Sequence, residues 1–163
     1  MVKGQWGLTL VELIVTLAVL ATVIAVAMPL FGGLLAGNHA ATQSEALASA
    51  LKLARSEAMT RGAPVSVKAG GLVWTDGWSV FMDEDADGDV DPNEVLRVWH
   101  EPPSGTTVKG VTGVETVVFE RSGASLVAHA FQVGHSSAGD SNAFCVSVAR
   151  NGHISRAREA CLP

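Results

Sequence analysis

The sequence predicts an α+β protein: a long N-terminal transmembrane and amphipathic α-helix packed on antiparallel β-sheet. Three observations carry that prediction. An uncharged apolar run follows Glu12, and an apolar stripe at helical spacing comes after it. Beyond Pro64, short β-branched and aromatic runs alternate with Gly- and Pro-containing turns. One long helix followed by several short strands suits helix-on-sheet packing better than an alternating α/β layout. The length, 163 residues, suits one compact domain with an appendage.

The apolar run comes first. Apolar residues make up 48% of the chain and the mean hydropathy is +0.31, high for an ordinary soluble domain. The excess sits in one place. No charged side chain lies between Glu12 and Glu45, and most residues from Leu13 to Leu35 are Leu, Val, Ile, Ala, Met or Phe. A membrane-spanning helix needs about 20 such residues at a rise of about 1.5 Å each, and this run supplies them. Lys3 on its N-terminal side orients the remainder of the chain outside the cytoplasm. A cleavable secretory signal fits poorly, because the run is too long and no small-x-small site follows it cleanly. An ordinary signal anchor accounts for the length but not for Glu12. A carboxylate in the first turns of a membrane helix is costly and marks function with a specific partner.

The hexapeptide Gly7-Leu8-Thr9-Leu10-Val11-Glu12, after a short leader carrying Lys3, resembles the start of the type IV prepilin family, which includes the pseudopilins of type II secretion. The resemblance implies that a prepilin peptidase removes a leader, residues 1–7, by cutting between Gly7 and Leu8, and that the new amino terminus on Leu8 is N-methylated. Leu8 stands where the family usually has Phe. Glu12 would then lie among bundled helices and neutralise the amino terminus of Leu8 on a neighbouring subunit. A lone buried charge costs several kcal/mol, so pairing would favour one axial register. The alternative is a Glu12 that extends to the headgroups. Pro29 removes a backbone donor within the helical pattern and predicts a kink; the resemblance also implies a helix-bending proline there. Gly32, Gly33 and Gly37 predict a flexible exit from the membrane. The expected organisation is residues 1–7 as leader, 8–37 as transmembrane helix and exit, and 38–163 as a periplasmic α+β domain.

From Asn38 to Arg61 the pattern continues the same helix. Leu47, Ala50, Leu51, Ala54 and Ala58 form a narrow apolar stripe, with Lys52, Arg55 and Glu57 off it. Gly62 and Pro64 end it. The block Leu53-Ala54-Arg55-Ser56-Glu57-Ala58 resembles the GspH/FimT branch of pseudopilins and minor pilins. Strands are predicted at Val65–Val67, Leu72–Trp74, Trp78–Met82, Val95–Trp99, Val114–Glu120, Val127–Gln132 and Phe144–Ala149.

The sharpest local motif spans Asp83 to Glu94. It fits D-x-D-x-D-G-x5-E without a mismatch. Asp83, Asp85 and Asp87 offer side-chain oxygens, Asp89 its carbonyl, Asp91 a contact through water and Glu94 a bidentate closure, while Gly88 permits the turn. The flanks read as strands, so this would be a calcium-type loop grafted onto a β-hairpin. A solvated acidic turn is the competing reading. No cofactor is required by the sequence, and Ca2+ is the one candidate.

Cys145 and Cys161 suggest one disulfide if the domain is exported, and two free thiols if it is cytosolic. Arg150, Arg156 and Arg158, with His153, make the C-terminus basic. Such a patch can contact phosphates. Some FimT-type minor pilins are linked to DNA uptake through Gly-Arg-x-Arg; the matching stretch here is Gly152-His153-Ile154-Ser155, so both Arg positions differ. Ordinary surface arginines are the alternative, and the net charge of −5 argues against a general nucleic-acid binder. No enzyme signature is found: the five histidines have no metal-ligand spacing.

Two functions follow. The first is a minor pilin or pseudopilin subunit, acting in type II secretion through pseudopilus assembly or in type IV pilus biogenesis. Its partners would be other pilins or pseudopilins in a filament or tip complex, the prepilin peptidase and the inner membrane. The second is a membrane-anchored calcium- or DNA-binding module serving DNA uptake.

Overall fold

The structure is a computed structural model that describes residues 9–85, 87–111, 113–137 and 142–161. Gly7 and Leu8 lie outside the described residues. The chain divides into two compact units at residues 35 and 36. Helix α1, Leu10–Arg61, contributes to both.

In the first unit α1 begins at a cap. Thr9 accepts the Glu12 backbone N–H on its Oγ1 at 3.2 Å, which satisfies one of the donors a helix start leaves open. The side chains that follow are apolar and exposed on every side: Leu13, Ile14, Val15, Leu17, Val19, Leu20, Val23 and Ile24 are each about half exposed or more. This is the most apolar stretch of the helix, with a mean hydropathy of 2.6, and it is long and apolar enough to cross a membrane. The helix runs through Pro29, Gly32, Gly33 and Gly37. The exit at those glycines is therefore helical. A glycine costs about 1 kcal/mol against alanine in a helix, which weakens a helix without ending it.

In the second unit the same helix buries one face. Ala40, Ser44, Leu47, Ala48, Ala50, Leu51, Ala54 and Ala58 are at most 1% exposed. Gly62 ends the helix with φ at +65°, and its N–H bonds to the Ala58 carbonyl at 3.0 Å. That left-handed residue is why a glycine stands there.

Eight strands follow: β1 Val65–Ala69, β2 Trp78–Phe81, β3 Val95–Trp99, β4 Thr106–Gly110, β5 Thr116–Phe119, β6 His129–His135, β7 Phe144–Val148 and β8 Ile154–Ala157. They form two four-stranded sheets, β3-β2-β1-β5 and β4-β6-β7-β8. Every neighbouring pair is antiparallel. Alternate residues point inward, as the pleat requires: Val117 and Phe119, Phe131 and Val133, and Phe144, Val146 and Val148 all join one core with Leu47 and Leu51 of the helix. Trp74 meets Phe131 edge-on at 4.7 Å. The predicted α+β architecture, a long helix packed on antiparallel sheet, is the one observed.

The strand at Leu72–Trp74 is corrected. That segment is a loop leading into a short 3-10 turn, Trp74–Asp76. Leu72 is 97% exposed, while the Trp74 indole donates to the Val114 carbonyl. The Gly70 N–H bonds the Gly77 carbonyl at 2.9 Å, closing the segment into a loop before a strand can form. Strands β4 and β8 were not anticipated.

Truncating the helix stripe should be severe. Leu51→Ala should cost about 2–5 kcal/mol, read by denaturant unfolding followed through tryptophan fluorescence. Lys52→Ala, exposed one residue away, should change stability by less than about 0.5 kcal/mol.

Candidate functional site

Three places carry the predicted site residues. The first is the start of α1. Thr9 and Glu12 hold the N-cap and the third helical position, the spacing of a capping box. Among the described residues the Glu12 carboxylate has no hydrogen-bond or ion-pair partner. Its negative charge lies at the positive end of the helix, which is favourable. The cap was legible as Thr-x-x-Glu but was not read; it gives both residues a local role beside any intermolecular one. Pro29 is helical, and its side chain is not described.

The second place is the acidic loop between β2 and β3. The two strands are paired, Trp78 opposite Trp99 and Val80 opposite Arg97, so the loop does sit on a β-hairpin and not between helices. Internal bonds shape it. Gly88 N–H donates to Asp83 Oδ2 at 3.1 Å, Asp87 N–H to Asp85 Oδ1 at 3.3 Å and Asp89 N–H to Asp87 Oδ1 at 2.7 Å. Gly88 takes φ +79°, a conformation that suits glycine. One carboxylate oxygen from each of Asp83, Asp85 and Asp87 lies within 4.8 Å of the others. Glu94 is only 4% exposed. Its Oε1 accepts the Glu84 N–H at 2.7 Å; among the described residues its Oε2 is buried with no partner, as is Asp83 Oδ1. Asp91 is exposed and accepts the Glu94 N–H on its carbonyl at 3.0 Å.

Lys68 of β1 was not foreseen. Its Nζ donates to the Gly88 carbonyl at 2.6 Å and to Asp89 Oδ1 at 3.2 Å. No local signal marks it, because it reaches the loop only through strand pairing. The crowding also acts on titration. The Asp87 N–H pulls the Asp85 carboxyl downward, but desolvation and repulsion from Asp87, Glu94 and Asp91 outweigh it, and the net direction is above the ordinary 3.8.

The third place is the C-terminus. Cys145 of β7 and Cys161 form a disulfide, with Cα atoms 4.9 Å apart. It ties the segment beyond β8 back to β7. Arg156 is exposed but anchored to the helix. Its Nε donates to Ser44 Oγ at 2.7 Å and its Nη2 to the Ala41 carbonyl at 3.2 Å. Its guanidinium covers the Phe144 ring at 4.4 Å, and Glu45 lies 3.8 Å away. Arg158 donates to Asn142 Oδ1 at 3.0 Å, and Arg150 is exposed. Gly152, in the stretch where the Gly-Arg-x-Arg motif would fall, has φ +76°. A Cβ there would collide with the Gly123 carbonyl, so its glycine is a packing requirement. The DNA reading gains no support from this arrangement.

A helix that exposes an apolar, membrane-length first half and buries a small-residue stripe against antiparallel sheets defines a pilin-like subunit. Residues 43–152 match the family described as "Type II transport protein GspH", and residues 3–28 match the prokaryotic N-terminal methylation motif. The chain belongs to the GspH family. Among solved structures it is similar to the type IV minor pilin FimU of Pseudomonas aeruginosa, at 22% identity over 72% of this chain and 87% of that one, with a TM-score of 0.59. It is also similar to the minor pseudopilin EpsH of the type 2 secretion system of Vibrio cholerae, at 13% identity over 74% and 97%, with a TM-score of 0.53. At these identities the likeness is one of fold. No curated protein matches the sequence significantly.

Removing the disulfide, by reduction or by Cys145→Ser with Cys161→Ser, should lower stability by about 3 kcal/mol for a loop of this size. The measurement is denaturant unfolding with and without reductant.

Proposed function

We propose that this chain is a minor pilin or pseudopilin subunit of a type IV pilus-like filament, held in the inner membrane before assembly and carrying its α+β domain in the periplasm. The observation that carries the reading is the start of α1: a methylation-motif segment whose apolar side chains are exposed all round and which bears one acidic residue, Glu12. Exposed apolar surface of that extent needs lipid or other helices around it. In the membrane the apolar half is covered by acyl chains; in a filament it is covered by the same half of neighbouring subunits.

Prepilin peptidase cleavage after Gly7 leaves Leu8 as the amino terminus, followed by its methylation. Glu12 lies four residues further on. On a single chain the carboxylate and the amino terminus are offset along the axis, so a neighbour shifted by about one turn brings opposite charges level. That pairing would select one stagger out of many that apolar contacts alone would accept. The domain then lies outside the helical core, where its disulfide suits an oxidising compartment.

The binding-module alternative for DNA is not favoured. His153 and Ser155 stand where the Gly-Arg-x-Arg motif has its arginines, and the chain carries a net charge of −5.

Glu12→Gln tests the reading because it keeps size and removes charge. The variant should be processed and membrane-bound at wild-type levels, yet its recovery in sheared filaments should fall at least tenfold by immunoblot. Undiminished recovery would refute the charge-pairing role.

A further inference from the structure

We propose that the loop from Asp83 to Glu94 is a calcium-binding site that fastens the β2–β3 hairpin, a property beyond the filament reading and independent of it. The acidic pattern alone would not carry this. The deciding observation is Glu94, which is 4% exposed. Its Oε1 is tied to the Glu84 N–H, between Asp83 and Asp85. The carboxylate is therefore turned into the loop, and its Oε2 is buried without a donor among the described residues. Among the described residues Asp83 Oδ1 is buried without a donor as well. Burying an ionised oxygen with no compensation is costly, and a buried carboxylate left open toward other carboxylates is suited to a cation.

The spacing fits calcium. Ca2+ binds oxygens at about 2.3–2.6 Å, so two ligands across the ion are about 4.6–5.2 Å apart. Oxygens of Asp83, Asp85 and Asp87 lie within 4.8 Å of one another. Glu94, tied to the loop through the Glu84 N–H, would add Oε2 to these three. The Asp89 carboxylate is turned to Lys68, which leaves the Asp89 carbonyl as the loop's contribution at that position. Water held by Asp91 completes a set of six or seven. Mg2+ keeps most of its water and demands a tight octahedron, so an oxygen-rich loop of this kind favours the larger ion.

The charge balance points the same way. The loop holds seven carboxylates, and one ammonium, Lys68, contacts it. Calcium would relieve the repulsion and lock the crossing from β2 to β3.

The test uses the full chain in detergent micelles, stripped with chelator and titrated calorimetrically with calcium chloride, then with magnesium chloride. One ion should bind per chain, with a dissociation constant of about 1 mM or below, a rise in Tm, and at least tenfold weaker binding of magnesium. Glu94→Gln keeps the acceptor for the Glu84 N–H and removes the charge; it should weaken binding at least tenfold. Asp87→Asn, at an exposed position, does the same without touching the core, and it decides the matter if Glu94→Gln does not fold. No heat and no melting shift at millimolar calcium would overturn the proposal. So would equal responses to calcium and magnesium, or wild-type binding by Asp87→Asn.

Discussion

The structure of the globular unit depends on how closely two sheets can approach one helix. The face of α1 that meets them is made mostly of alanine: Ala40, Ala48, Ala50, Ala54 and Ala58, with Leu47 and Leu51 between. Small side chains let the inward residues of both sheets reach the helix, and the two leucines fill the remaining space. The larger volume comes from the sheets, through Trp78, Phe119 and Phe131. Burial of apolar area is the main favourable term in such a core, and no strand can contribute to it unless the helix presents this stripe. Arg156 adds a polar fastening at the edge, joining β8 to the Ser44 hydroxyl, which is itself buried.

The first half of the same helix obeys a different constraint. Its large apolar residues are about half exposed or more. The cap formed by Thr9 satisfies the backbone at its start, and Glu12 sits where the helix dipole favours an anion. Those local effects explain why a carboxylate is tolerated there. They do not explain why one is needed, since a capped apolar helix would enter a membrane more readily without it. In the proposed filament the charge has a specific use, setting the stagger between neighbours.

Features written in local sequence were legible. The apolar run, the stripe at Leu47, Ala50, Leu51, Ala54 and Ala58, and the stop at Gly62 follow from helical periodicity and from one residue's φ. The hairpin around the acidic loop followed from Trp78 and Val95–Trp99. What failed did so for identifiable reasons. Leu72–Trp74 has strand-like residues, but Gly70 and Gly77 close the chain around it. Strand β4 carries Thr, Lys and Gly, and β8 carries Ser and Arg, so neither has a strong apolar alternation; both are strands because a neighbour pairs with them. Lys68 and Arg156 act across 20 or more residues of sequence. Nothing near either residue announces its partner. Arg156, read from the sequence only as part of a basic tail, also fastens β8 to the helix.

The central claim is that Glu12 meets the amino terminus of a neighbouring subunit. Zero-length carbodiimide coupling of isolated filaments, followed by mass spectrometry, tests it directly. The account predicts an amide joining Glu12 to the N-terminal residue of a different chain, recognisable from the neighbour's peptide sequence or, between identical chains, from mixed isotopic labelling. A Glu12 that stays uncoupled in filaments containing the subunit, or couples only within its own chain, would contradict it.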